Sequence, residues 1–257
     1  MCLIGIAYQA HPEYPLIIAA NRDEFYQRKT ARASWWKDHP HILGGRDLEA
    51  GGTWMAADAT GRIGCVTNYR DLSMPLLSGA PSRGKLIPEF FVQDLPAMDY
   101  LQQLDEGSES FNGYNILLGD DSGLFHYSNQ EKKINKMEPG IHGLSNHLMN
   151  TPWPKVKKLK DKIRDLVSHP RFSTEDWFRA LKDTDTAPID ELPSTGVPLD
   201  FEEALSAMFI SMPNRNYGTR VSTLLLVDNW GKMYFEERAY VPSDTHKVFE
   251  LSTLAST

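Results

Sequence analysis

The stretch CLIGIAY, residues 2–8, and the stretch PLIIAANRDEF, residues 15–25, decide how this chain is read. The first is a short apolar run bounded by polar residues, which predicts a buried strand. The turn HPEYP follows, and then a second apolar run that ends in four consecutive polar residues, Asn21-Arg22-Asp23-Glu24. Two such runs across a short turn predict a β-hairpin. Antiparallel partners run back on each other, so the end of the second strand returns to the start of the first. The tetrad therefore comes close to Cys2.

Outward from this hairpin, strands come in pairs. TWMAAD and IGCVTN are joined by the turn ATGR, and YNILLGD, GLFHYSN and IHGLSNH are further strands. RVSTLLLVD and GKMYFEERAY predict a closing hairpin across DNWG. The glycines of GGRDLEAGGTW predict a loop carrying Arg46 and Asp47, either bordering a pocket or a tight turn needing positive φ. SRGKLIPEFFVQD starts as a helix that Pro88 breaks. The clearest helix is TPWPKVKKLKDKIRDLVSH, with apolar residues at three- and four-residue spacing. Its basic run, Lys155 to Arg164, predicts one solvated face. STEDWFRALKD predicts a helix opened by a capping box from Ser173 to Asp176. APIDELPSTGVPLD is a Pro-rich surface loop, and DFEEALSAMFI is a third helix. Paired strands ahead of a block of helices indicate an α+β domain, here one domain over residues 1–257.

Composition narrows the function classes. Of 257 residues 41% are hydrophobic and 24% charged, as in ordinary globular proteins. The net charge of -7 and the lack of a dominant basic tract argue against nucleic acid or anionic membrane as main partner. Two cysteines, Cys2 and Cys65, exclude a disulfide framework and a four-cysteine zinc site. Eight histidines show no metal-binding spacing, so no metal is expected. No signal peptide and no apolar run of about 18 residues is present, which predicts a cytoplasmic protein without stable membrane insertion.

Cys2 has two readings. It is either a small apolar residue in a strand or a nucleophile. Removal of Met1 would leave a thiol and a free α-amine on one residue, and an amine with a pKa of about 7.7–8.0 can serve as base for its own nucleophile. A nearby arginine would favour the thiolate. NRDE likewise is either a salt-bridged strand end or a set of site residues: Arg22 to lower the thiol pKa, Asp23 or Asn21 to orient the amine.

The pairing of MCLI with AANRDEFYQR, together with WWKDHPHILGGRDLEAGGTWMAAD, GRIGCVTNYRD, GYNILLGD, GLSNH, PWPKV and YGTRVSTLLLVD, resembles the NRDE family, whose eukaryotic branch comprises the transport and Golgi organisation 2 proteins. That family is distantly similar to N-terminal-nucleophile hydrolases of the choloylglycine hydrolase and penicillin V acylase type. The resemblance implies a four-layer αββα sandwich of two mostly antiparallel sheets. It implies Cys2, Arg22, Asp23 and Asn146 as catalytic residues, with Asn146 donating to an oxyanion. Here the arginine and aspartate are adjacent, whereas those hydrolases separate them. Asn21, Asn68 and Arg220 are the expected substrate-binding side chains.

The expected function is an N-terminal-cysteine amidohydrolase or acyltransferase acting on a small-molecule amide or thioester, with no cofactor. The alternative is a non-catalytic carrier or trafficking protein that binds lipid, acyl-CoA or haem on the same fold.

Overall fold

The computed structural model describes residues 2–169 and 171–252, and for residues 2 and 252 the backbone alone. Among the described residues lie fourteen strands and five α-helices. The strands are β1 (Cys2–Tyr8), β2 (Leu16–Phe25), β3 (Thr30–Trp35), β4 (Ile42–Asp47), β5 (Met55–Asp58), β6 (Ile63–Asn68), β7 (Tyr114–Asp120), β8 (Gly123–Ser128), β9 (Lys133–Lys136), β10 (Gly140–Leu144), β11 (Ser211–Met212), β12 (Tyr217–Val227), β13 (Lys232–Ala239) and β14 (Thr245–Ser252). The helices are α1 (Leu86–Gln93), α2 (Ala97–Gly107), α3 (Pro154–Ser168), α4 (Thr174–Leu181) and α5 (Leu199–Leu205).

The strands form two seven-stranded antiparallel sheets, and each carries its own helices, so the α+β class predicted from the sequence is the one observed. The chain divides into two compact units. The first comprises Met1–Gln27, Arg70–Met74 and Pro139–Glu250, and the second comprises Arg28–Tyr69, Pro75–Glu138 and Leu251–Thr257.

In the first unit the strand order is β10-β1-β2-β12-β13-β14, with β11 beside β12. Side chains alternate between the faces of a strand. Leu3 and Ala7 of β1, Ile17 and Ala19 of β2, and Leu224 and Leu226 of β12 share one face. They pack against Val156, Leu159 and Ile163 of α3 and Trp177, Phe178 and Leu181 of α4. Glycine brings α3 close: a Cβ on Gly5 would meet Ile163 Cδ1 at 2.3 Å, and one on Gly143 would meet Val156 Cγ1 at 2.7 Å. In the second unit the order is β3-β4-β5-β6-β7-β8-β9, and α1 and α2 pack on it through Ile87, Phe90, Phe91, Tyr100 and Leu101.

Several local expectations are corrected. Pro88 does not break a helix: it is the third residue of α1, in the first turn, where the missing N–H has no intrahelical acceptor to lose. Gly44, Gly45, Arg46 and Asp47 are strand residues of β4, and the turn comes after them, at Gly51 with φ 77°. The capping box of α4 is not made: Ser173 is the N-cap residue but its hydroxyl makes no capping hydrogen bond. The loop before α5 is not wholly a surface loop, since Thr195 is buried. Lys155 is not on the solvated face of α3: it is 2% exposed.

Candidate active site

At the start of β1 two of the expected site residues stand directly opposite each other. Cys2 pairs directly with Arg22 in the β1–β2 ladder, and Leu3 pairs with Asn21. On the other side β1 pairs with β10, where Ile4 opposes Leu144. Across β2, Arg22 opposes Val221 of β12, and the β-bulge between Thr219 and Val221 accommodates Arg220. One row across the sheet thus runs Cys2, Arg22, Val221, and β10 ends at Leu144, two residues before Asn146. The thiol of Cys2 and the state of Met1 lie outside the described residues.

Arg22 is 6% exposed, and its guanidinium lies 3.6 Å from Glu24 at the end of the strand. Arg220 is buried as well and donates from Nη1 to the carbonyl of Phe25 at 3.2 Å. Two buried arginines thus lie at the end of β2 and the start of β12, one of them beside Glu24.

Asn146 is fully buried in the turn after β10. Its carbonyl accepts the backbone N–H of Arg70 at 2.7 Å. Arg70 is itself buried, donates from Nη2 to Glu202 of α5 at 2.9 Å, and lies 4.9 Å from the Trp153 ring. Glu202 also accepts from the backbone N–H and hydroxyl of Thr195. Burial pushes Arg70 below its ordinary pKa, and the Glu202 carboxylate opposes that shift. The asparagine turn is therefore fastened by a buried ion pair that the sequence reading passed over, although Arg70 stands in the quoted VTNYRD.

The structure separates other members of the expected set. Because strand side chains alternate, Arg22 and Asp23 point to opposite faces, and Asn21 shares the helix-packed face with Asp23. Asn21 donates from Nδ2 to the carbonyls of Leu181 at 2.9 Å and Met208 at 2.8 Å. It accepts from Ser222 Oγ at 2.6 Å. Its amide joins the sheet to the end of α4 and to the segment after α5. Asp23 is 1% exposed and accepts from Thr219 Oγ1 at 2.6 Å. Burial raises its pKa, with Lys155 the foremost influence in the other direction. Asn68 belongs to the second unit, at the end of β6 opposite Tyr114.

The second cysteine, Cys65, is buried in β6. Among the described residues, no three His, Cys, Asp or Glu side chains gather to hold a metal ion, and no helix is long and apolar enough to cross a membrane.

Comparison with known proteins gives the following. The sequence model of the family described as Transport and Golgi organisation 2 matches residues 1–242. The chain is 32% identical over 268 residues to the Transport and Golgi organization protein 2 homolog of Bos taurus, covering 95% of each chain. Among solved structures it is similar to the Caenorhabditis elegans ortholog of N-acylethanolamine-hydrolyzing acid amidase, with TM-score 0.45, 12% identity, and coverage of 88% of this chain and 92% of that one. It is also similar to the C2A mutant of a conjugated bile acid hydrolase from Clostridium perfringens, with TM-score 0.43, 9% identity, and coverage of 97% and 92%.

Proposed function

The chain belongs to the Transport and Golgi organisation 2 family, and from that premise we propose that it is an amidohydrolase or acyltransferase whose nucleophile is Cys2, exposed as the first residue by loss of Met1. The observation that carries this reading is the pairing of Cys2 with Arg22, a buried arginine. Directly opposed residues of an antiparallel pair lie on one face of the sheet, so the register supports a cation beside the reacting sulfur. A cation there favours the thiolate.

The chemistry follows in two steps. The α-amine of Cys2 takes the thiol proton, and the sulfur attacks the carbonyl carbon of an amide or thioester. Asn146 is the candidate side-chain donor to the tetrahedral oxyanion; one such donor contributes about 2.7–4 kcal/mol of transition-state stabilisation. The bond to the leaving amine or thiol breaks, and that group leaves with the proton carried by the α-amine. Water then attacks the acyl-cysteine, releasing the acid and restoring the thiol; a second amine in place of water gives acyl transfer.

The test is intact-mass measurement of the purified chain followed by alkyne-tagged acyl electrophiles, with the adduct located by peptide mass spectrometry. The expected result is a chain without Met1 and an adduct on Cys2. Full retention of Met1 in reactive material, or an adduct on Cys65 alone, contradicts the reading and moves weight to a carrier on the same fold, which has no need of a free Cys2.

A further inference from the structure

A cavity of about 230 Å³ lies in the first unit at the turn end of the β1–β2 hairpin, the far end of these strands from Cys2. Three aromatic rings stand in its wall: Tyr14 from that turn, Phe172 from the segment before α4, and Tyr234 from β13. All three are half-buried, and each packs against the apolar layer between the sheet and its helices α3 and α4. The Tyr14 and Phe172 rings are 4.7 Å apart and tilted by 44°. The Tyr234 hydroxyl donates to Glu236, which fixes the third ring.

The charged groups in the same wall are Asp228, Lys232 and Glu250. Lys232 is already committed: its ammonium meets Glu250 at 2.5 Å. Asp228 is not. Its Oδ1 accepts the backbone N–H groups of Trp230 at 2.9 Å and Lys232 at 2.8 Å, which shapes the turn between β12 and β13. Among the described residues, no side-chain cation lies within 4 Å of its carboxylate. One negative charge therefore stands uncompensated in a wall of rings.

The chemistry of this wall selects its ligand. An anion would meet two acids and a lysine already paired. The start of α4 at Thr174 also borders the cavity, but Glu175 and Asp176 in the first turn offset the positive end of the helix dipole. A neutral apolar ligand would cover the carboxylate without pairing it. A primary ammonium has several N–H donors to satisfy, and one uncommitted carboxylate does not satisfy them. A methylated ammonium has none, is attracted by ring faces and is neutralised by the acid.

We propose that this cavity binds a methylated ammonium group, with Tyr14, Phe172 and Tyr234 as its aromatic wall and Asp228 as its counter-ion. The site needs no reaction at Cys2 and stands or falls apart from it.

The test is calorimetric titration of the full chain with choline and with neohexyl alcohol, the uncharged molecule of the same shape. Asp228→Asn and Phe172→Leu are titrated beside the parent. Asp228→Asn keeps the Oδ1 acceptor that the turn uses and removes only the charge. Phe172→Leu keeps apolar bulk and removes the ring. The proposal expects one choline per chain and the alcohol weaker by about tenfold or more. It expects a similar loss of choline affinity in Asp228→Asn at an unchanged melting temperature, and about a fivefold loss in Phe172→Leu. Equal affinity for the alcohol overturns it, because the charge is then not recognised. No choline binding at about 10 mM overturns it as well, as does binding that neither variant weakens. Displacement of choline by inorganic phosphate overturns it too, since the site then takes anions. Phosphatidylcholine vesicles added to the choline complex separate the two sources of such a group: displacement of choline assigns a lipid head group, and retention assigns a free molecule. Both of these outcomes support the cavity.

Discussion

The backbone N–H of Arg70 donates to the carbonyl of Asn146 at 2.7 Å, and so ties the turn after β10 to a buried ion pair. Arg70 and Glu202 are 6% and 3% exposed and meet at 2.9 Å. Removing one partner leaves the other charged and buried, which costs about 3–5 kcal/mol. Glu202→Ala is expected to lose stability on that scale in urea denaturation. Adding Arg70→Met to Glu202→Leu is expected to recover much of the loss, because neither charge is then stranded.

Asn21 predicts a loss of stability of its own. Its amide donates to the buried carbonyls of Leu181 and Met208. Asn21→Leu leaves both without that donor, at about 1–3 kcal/mol for each. Thermal unfolding is expected to show a drop, and Asn21→Ser, which keeps one donor, a smaller one.

Gly5 sets how closely α3 approaches the sheet. A methyl there would lie 2.3 Å from Ile163 Cδ1 and 2.8 Å from Leu159 Cδ2. Both are ends of flexible side chains, so the helix shifts rather than detaches. Overpacking of this kind costs about 1–3 kcal/mol. Gly5→Ala is expected to unfold at lower denaturant in the same assay, and Leu159→Ala in the same chain to relieve part of the strain.

His126 gives the second unit an acid-sensitive core. It is 1% exposed in β8 and faces Asn115 Oδ1 across 3.2 Å. Burial pushes its pKa down to about 4. The unfolded histidine titrates near 6.5, so the unfolded chain binds the proton first as pH falls. Stability is full above about pH 6.5 and falls as the pH drops towards 4, by about 3 kcal/mol in all. His126→Gln cannot bind this proton. Its stability is expected to fall less than the parent's between pH 7 and pH 4.5; equal slopes would contradict the assignment.

The hairpin that brings Arg22 to Cys2 was legible because both strands are unbroken apolar runs across a short turn, which leaves few registers open. The same period-two rule, taken one residue further, puts Arg22 and Asp23 on opposite faces, and the family resemblance had suggested treating them as a pair. Pro88 misled because a proline in a first helical turn reads, without the start of the helix, like one in its middle. The polar strand KINK, Lys133–Lys136, carries no apolar alternation, and it lies at the edge of its sheet. Lys155 was hidden in a run of five lysines. It is the one of the five that lies on the buried side of α3, with Val156, Leu159 and Ile163. Arg70 was hidden differently: its partner Glu202 is 132 residues away, and no local pattern joins them.

In the proposed chemistry Arg22 activates Cys2. The pH dependence of Cys2 alkylation in the processed parent and in Arg22→Ala tests it most directly, with Cys65 as the buried internal reference. The account predicts that Cys2 reacts well ahead of Cys65 at pH 7. It also predicts that Arg22→Ala raises the apparent thiol pKa, by about one unit or more, and slows labelling at pH 7 far more than at pH 9. A folded Arg22→Ala whose Cys2 profile overlays the parent's would contradict the account and reduce Arg22 to a structural partner of Glu24.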